Sequence, residues 1–317
     1  MRKTLIIGID YYEHVSRLHG CVNDAHSVRS VLERHGDGSL NFGVKLKTAS
    51  DPTSAIQRRD LKELIQELFR DPADIALLYF SGHGYVETTG GYLITSECRD
   101  GDDGLPMDEV LTIANSSPAA NKIIVLDCCH AGAAGSPAVM GNQAFLSEGV
   151  TILTASAANQ YSLETGGAGV FTSLFVDALS GGAANLVGDV TPGSVYAHID
   201  QALGPWEQRP IFKTNVRRFI SLRETPAPIE LDDLKRLTEL FPKAGFEFPL
   251  DPSYEPESEC PDPEHTKLFA ILQKYSHVNL VKPVDADHMY FAAMESKACR
   301  LTALGVHYWN LVHKKRI

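Results

Sequence analysis

The feature that most restricts this chain is a set of apolar runs that do not alternate with polar residues. Residues 5–9, 75–80, 123–126 and 150–153 are dominated by Leu, Ile, Val, Ala and aromatic side chains. A strand with one wet face alternates apolar and polar residues, whereas a strand covered on both faces need not. Between these runs lie amphipathic stretches with helical spacing: residues 21–35 (Ala25, Val28, Val31 and Leu32 on one face), 60–69 (Leu61, Leu64, Ile65 and Leu68), 171–179 and 194–203. Residues 44–46 form a weaker strand, and residues 217–222 are the expected last strand. The class is therefore α/β, three layers, with a mostly parallel central sheet between helices.

Length and charge narrow the rest. A chain of 317 residues suggests about two domains. Its 29 Lys and Arg against 40 Asp and Glu give a net charge of −11, which disfavours nucleic acid and anionic membranes as general partners and suits basic peptides or cations. No stretch has the roughly 20 apolar residues of a membrane span, and the first residues resemble a strand rather than a secretion signal, so the expected location is cytoplasmic. The six cysteines do not make a disulfide framework in a chain this long and are expected to be free thiols.

Composition changes after Arg223. Residues 225–262 carry ten acidic residues against three basic ones, with seven prolines, and read as a partly extended connector with one helix over 231–241. From residue 264 the balance reverses. Residues 265–275 look helical, 289–301 contain strand-like pieces, and 302–312 look helical again, with Leu304, Tyr308, Trp309 and Val312 on one face. Helix, hairpin, helix resembles a winged-helix module. The expected domains are residues 1–223, a connector at 224–263, and a small C-terminal domain at 264–317.

The chemistry is concentrated after two of the buried strands. The run at 75–80 ends in Ser81-Gly82-His83-Gly84, and the run at 123–126 ends in Asp127-Cys128-Cys129-His130-Ala131-Gly132. In a parallel sheet, reactive groups collect at the carboxyl ends of strands. If these two strands are neighbours, an imidazole faces a thiol, the pairing that turns a thiol into a thiolate nucleophile. The flanking glycines leave backbone N–H groups bare for an oxyanion. A zinc site from Cys128, Cys129 and His130 is disfavoured, since adjacent residues do not converge easily on one tetrahedral ion.

This layout resembles the caspase-like cysteine peptidases, and metacaspases and their prokaryotic relatives of the C14 type more than animal caspases. Ser81 to Gly84 matches the histidine loop, and Asp127, Cys129, His130 and Gly132 match the cysteine loop. Gly20-Cys21-Val22-Asn23-Asp24-Ala25 matches a third family segment. The 46 residues from His83 to Cys129 (129 − 83) are a caspase-like separation. The resemblance covers roughly residues 1–223 and implies a caspase-like fold.

Carried over residue by residue, the resemblance implies Cys129 as nucleophile and His83 as general acid/base, with the amides of Gly84 and Cys129 as the oxyanion hole. Cys128, pointing to the opposite face, packs. The pocket for the residue before the scissile bond falls on Cys21, Asp24, Ser81 and Asp127. Two carboxylates there suit Arg or Lys, so the expected partners are proteins or peptides cut after a basic residue.

Asp24 could also cap its helix, and Asp127 could bond loop amides. The chemistry needs no cofactor. Calcium, which many metacaspases require, is a candidate at Asp100, Asp102 and Asp103, where a solvated turn is the favoured reading. Gly166-Gly167-Ala168-Gly169 lacks the Lys and Ser/Thr of a phosphate loop and reads as a loop bordering the active site. Trp206 and Gln208-Arg209-Pro210 either shape the substrate groove or pack. Residues 133–147 contain no Arg or Lys, so self-cleavage after a basic residue cannot fall there.

By the same resemblance, the C-terminal domain would sense a small-molecule or protein activator, and the whole would act as a signal-activated effector in prokaryotic antiviral defence or cell death. The alternatives are a catalytically silent adaptor and a DNA-binding regulator acting through Lys314-Lys315-Arg316.

Overall fold

In the computed structural model, which describes residues 1–87, 90–128, 145–155, 164–165, 168–203 and 209–317, the apolar runs form the middle of a six-stranded sheet. The first unit comprises Met1–Ala184 and Asp189–Pro226. In chain order it contains β1 (Arg2–Ile9), α1 (Cys21–Leu32), β2 (Gly43–Ala49), α2 (Arg58–Arg70), β3 (Ile75–Ser81), β4 (Gly84–Glu87), β5 (Gly90–Leu93), β6 (Leu105–Pro106), α3 (Met107–Asn115), β7 (Asn121–Asp127) and β8 (Val150–Thr154). There follow β9 (Glu164–Thr165), β10 (Ala168–Gly169), α4 (Val170–Asp177), β11 (Asp189–Val190), α5 (Pro192–Ala202), β12 (Ile211–Asn215) and β13 (Arg223–Glu224). The sheet order is β12-β8-β7-β3-β1-β2. Every pairing is parallel except that of β12 with β8.

Successive side chains of these strands enter opposite cores, which explains the unbroken runs. From β1, Leu5, Ile7 and Ile9 join one cluster with α2 and α3, while Ile6 joins the other with α1 and α4. From β3, Leu78 and Phe80 go one way and Leu77 and Tyr79 the other. The three-layer α/β expectation holds.

The expected strand at 217–222 is corrected. The last strand of the sheet is β12, antiparallel at the edge, and residues 217–222 follow it without strand structure. Arg217 is exposed and pairs with Glu148 (2.8 Å), while Phe219 packs on Phe212 (ring centroids 5.8 Å apart). The apolar residues there serve packing rather than a ladder. A second small sheet, β4-β5-β6, and helix α3 had no counterpart in the sequence reading.

The second unit comprises Asn185–Gly188 and Ala227–Ile317. Its elements are α6 (Leu231–Lys235), α7 (Leu237–Leu240), β14 (Glu247–Pro249), α8 (Pro263–His277), β15 (Val281–Val284), α9 (Met289–Met294), β16 (Ala298–Leu301) and α10 (Ala303–His313). Residues 227–263 are not an extended connector. Ile229, Leu234, Leu237, Phe241, Leu250 and Tyr254 are buried in one cluster with Phe269, Leu272 and Tyr275 of α8. The hairpin is also corrected: β15 and β16 pair antiparallel, but α9 lies between them, and β14 completes an antiparallel sheet of order β14-β16-β15. Among the described residues, no helix is long and apolar enough to cross a membrane.

Candidate active site

The histidine and cysteine loops leave neighbouring strands in matched register. Ser81 of β3 pairs with Asp127 of β7, so His83 and Cys129 each follow a paired position by two residues. Cys129 itself, with His130 and Gly132, lies outside the described residues, as do Trp206 and Gln208. Arg209 pairs with Asp200 (2.8 Å).

His83 is fixed from several directions. Its Nε2 lies 2.8 Å from the carbonyl oxygen of Ser16. A carbonyl only accepts, so in the neutral ring Nε2 carries the proton and Nδ1 the lone pair. Its backbone N–H donates to Tyr12 Oη (2.8 Å), and its ring packs against the Tyr12 ring with centroids 4.7 Å apart. Its carbonyl accepts from the Ile94 N–H (3.0 Å). That last bond marks positions 83 and 94 as a hydrogen-bonded pair of the antiparallel ladder. Such pairs alternate with non-bonded ones, so the next pair, Gly84 with Leu93, is non-bonded and the Gly84 N–H points away from β5. The amide expected at the oxyanion is thus not spent on the sheet.

The four side chains expected to line the specificity pocket are brought together. Cys21 and Asp24 sit in the first turn of α1, and Ser81 and Asp127 are the last residues of β3 and β7. All are buried, with exposures of 5% for Cys21, 3% for Asp24, 1% for Ser81 and 6% for Asp127. Asp24 accepts from the Gly169 N–H at 3.2 Å and from the Ser81 hydroxyl at 3.4 Å. Asp127 accepts from the Thr172 hydroxyl (2.6 Å), and the Thr172 oxygen in turn meets the Tyr79 hydroxyl. Burial and then the two carboxylates push the Tyr79 phenol far up. Burial also pushes the Cys21 thiol up, and Asp10, Asp127 and Asp24 add to this against the opposing Ser81 bond. Cys21 is therefore a protonated wall of the pocket.

On the other face of the sheet, His83 and Gly84 line a cleft of about 530 Å³ with Ser16, Tyr85, Ile94 and the acidic loop at 100–102. The calcium expectation does not fit this loop. Asp103 is turned to the amides of Arg99 (3.2 Å) and Asp100 (3.3 Å), and no three His, Cys, Asp or Glu side chains among the described residues are grouped to hold a metal ion.

The sequence reading missed Ser16, Gly169, Thr172 and Tyr12. Ser16 and Gly169 act through backbone atoms, which leave no side-chain signature. Tyr12 and Thr172 could have been found from their places: a polar residue just past the carboxyl end of β1, and one on the α4 face turned to the pocket.

Comparison with known proteins places this geometry. The curated Metacaspase-1 of Kluyveromyces lactis is 30% identical over 133 residues, 41% of this chain and 28% of that protein. Metacaspase-4 of Arabidopsis thaliana is 28% identical over 148 residues, 41% of this chain and 34% of that protein. The chain therefore spans about a third or less of the length of these relatives. Among solved structures, a Geobacter sulfurreducens protein has a TM-score of 0.51 at 19% identity, covering 71% of this chain and 97% of that one. Caspase-1 of Spodoptera frugiperda has a TM-score of 0.50 at 13% identity, covering 71% and 90%. Both show the fold alone. The family model described as the caspase domain, peptidase C14, matches residues 1–220. With that match over more than half of its length, the chain belongs to the caspase-domain peptidase family.

Proposed function

We propose that the chain is a cysteine endopeptidase that cuts after Arg or Lys. The observation that carries the reading is the His83 loop: an imidazole held through Nε2 on the Ser16 carbonyl, leaving β3 in register with the strand that leads to Cys129. In the first step the Cys129 thiolate attacks the scissile carbonyl carbon, and the oxyanion is met by the amides of Gly84 and Cys129. His83 then gives its proton to the leaving amine as the C–N bond breaks, leaving a thioester. A water molecule, its proton taken by His83, hydrolyses the thioester and returns the thiol.

The basic specificity is supported by Asp24 and Asp127, two buried carboxylates against one glycine. Such a pair repels itself, and a guanidinium or ammonium between them would relieve that repulsion. The second unit has a core of its own, and in this reading it is the regulatory part that senses a small-molecule or protein trigger. A cytoplasmic effector of defence or cell death would combine the two.

The test is hydrolysis of matched Arg-, Lys- and Asp-ending reporter peptides by wild type and Cys129→Ala, with calcium or with a chelator. Arg and Lys turnover lost in Cys129→Ala is the expected result. Faster turnover of the Asp peptide would sink the specificity. Activity that survives in Cys129→Ala would sink the mechanism.

A further inference from the structure

We infer that Tyr12 is a positioning residue for the general base, acting through the backbone N–H of His83. The inference rests on the peptidase reading above.

Tyr12 lies just past the end of β1, is 2% exposed, and meets His83 twice. Its hydroxyl oxygen accepts from the His83 N–H at 2.8 Å, and its ring lies against the imidazole at 4.7 Å with a 50° tilt. The hydroxyl is also wedged against the loop. A Cβ on Gly82 would come within 2.8 Å of Tyr12 Oη and 3.0 Å of the Phe80 ring, so only glycine lets the tyrosine approach. The Gly82 N–H in turn donates to the Asp127 carbonyl (3.3 Å), tying the same turn to the neighbouring strand.

The consequence lies in the hairpin that follows. Residues 83 and 94 form a hydrogen-bonded pair, in which both N–H groups normally cross to the opposite carbonyl. The Ile94 N–H does so, to the His83 carbonyl. The His83 N–H does not, because Tyr12 takes it. Tyr12 thereby holds His83 half out of the ladder. The ring is turned to the Ser16 carbonyl. Without the hydroxyl, the His83 N–H is released to the Ile94 carbonyl, the acceptor that a hydrogen-bonded pair assigns to it. Moving to it would draw the loop into the hairpin and lengthen the Nε2 bond to Ser16. A displacement of about an ångström in a catalytic group can cost roughly a hundredfold in rate.

Tyr12→Phe removes only the oxygen and keeps the ring, so it isolates the amide bond. Tyr12→Leu removes the ring as well. Two readouts test the inference. On the Arg reporter peptide, Tyr12→Phe is expected to lower kcat roughly tenfold to a hundredfold with KM within about twofold of wild type, and Tyr12→Leu to lower kcat further. The second readout does not need turnover: ¹⁵N NMR of the histidine rings, with His83 assigned by His83→Ala. Wild type should give separate pyrrole-type and imine-type nitrogens for His83, a single tautomer, and Tyr12→Phe should give averaged shifts. An unchanged His83 spectrum in Tyr12→Phe overturns the inference, as does wild-type kcat in an active enzyme. If wild type proves inactive on every peptide, the peptidase reading fails and the spectrum alone decides the role of Tyr12.

Discussion

Asp24 and Asp127 both reach one backbone position, Gly169. The Gly169 N–H donates to Asp24 at 3.2 Å, and a methyl on Gly169 would come 2.6 Å from an Asp127 oxygen and 3.1 Å from one of Asp24. A helix start, a strand end and the residue before α4 are thus joined by two acids. If they receive the basic side chain of the substrate, Asp127→Asn should lower kcat/KM for the Arg peptide about tenfold to a hundredfold, the worth of one charged hydrogen bond. The amide oxygen still accepts from Thr172, so Tm should stay close to wild type. Unchanged kcat/KM would remove Asp127 from the pocket.

Thiol chemistry offers an independent check on which cysteine reacts. Cys21, Cys98, Cys128 and Cys299 are buried and Cys260 is exposed. Burial pushes the Cys299 thiol up to about 12 and raises Cys98 and Cys21 as well, so at pH 7.5 these stay protonated and covered. Brief treatment of the native protein with iodoacetamide, followed by peptide mass spectrometry, should label Cys260 and the proposed nucleophile Cys129. Labelling of Cys21 or Cys128 ahead of Cys129 would contradict the assignment.

What could be read from the chain follows from how each part acts. β1, β3, β7 and β8 announced themselves because burial on both faces removes the alternation of apolar and polar residues. His83, Asp24 and Asp127 were legible because their side chains carry the chemistry. The carbonyl of Ser16 and the N–H of Gly169 were not, since every residue has the one and all but proline the other. α9 reads as a strand because Met289, Tyr290 and Phe291 suit either conformation and six residues are too few to show a helical period. The acidic, proline-rich stretch before residue 264 reads as a connector by average composition. Its buried residues, such as Leu234 and Phe241, are set among acids and prolines that dominate the average, and tertiary packing decides there.

A pH test follows from Asp251, which caps the turn at Pro252–Tyr254. Its carboxylate accepts from the N–H of Ser253 (2.9 Å) and from the Ser253 hydroxyl. These bonds, with a contribution from His265, hold its carboxyl below the ordinary Asp range. A group depressed in the folded state gives its full stabilisation above the unfolded value, about 4, and loses it as pH falls through the lower folded value. Asp251→Ala should therefore be less stable than wild type at pH 7, by roughly 1 kcal/mol. The gap should narrow from pH 7 to an acid pH at which the wild-type carboxyl is also protonated. Thermal unfolding of the full chain at both pH values measures it, and a gap that persists in acid would assign the effect to packing instead.

Gly305 in α10 tests the packing of the second unit. In an open helix, replacing glycine by alanine gains about 1 kcal/mol. Here the new methyl would lie 2.0 Å from the Leu280 carbonyl oxygen and 2.9 Å from its carbon. That carbonyl also accepts from the Thr302 N–H (2.9 Å), so pushing it aside strains the start of the same helix. Backbone cannot rotate away as a flexible side chain can, and overpacking of this kind costs about 1–3 kcal/mol before the lost bond is added. The clash wins, and Gly305→Ala should destabilise the chain by about 2 kcal/mol. Gly245→Ala is the control, because a methyl there meets nothing within 4 Å and stiffens the unfolded chain. Its Tm should equal or exceed that of wild type. A Gly305→Ala protein as stable as wild type would show that α10 can shift away from Leu280 at little cost.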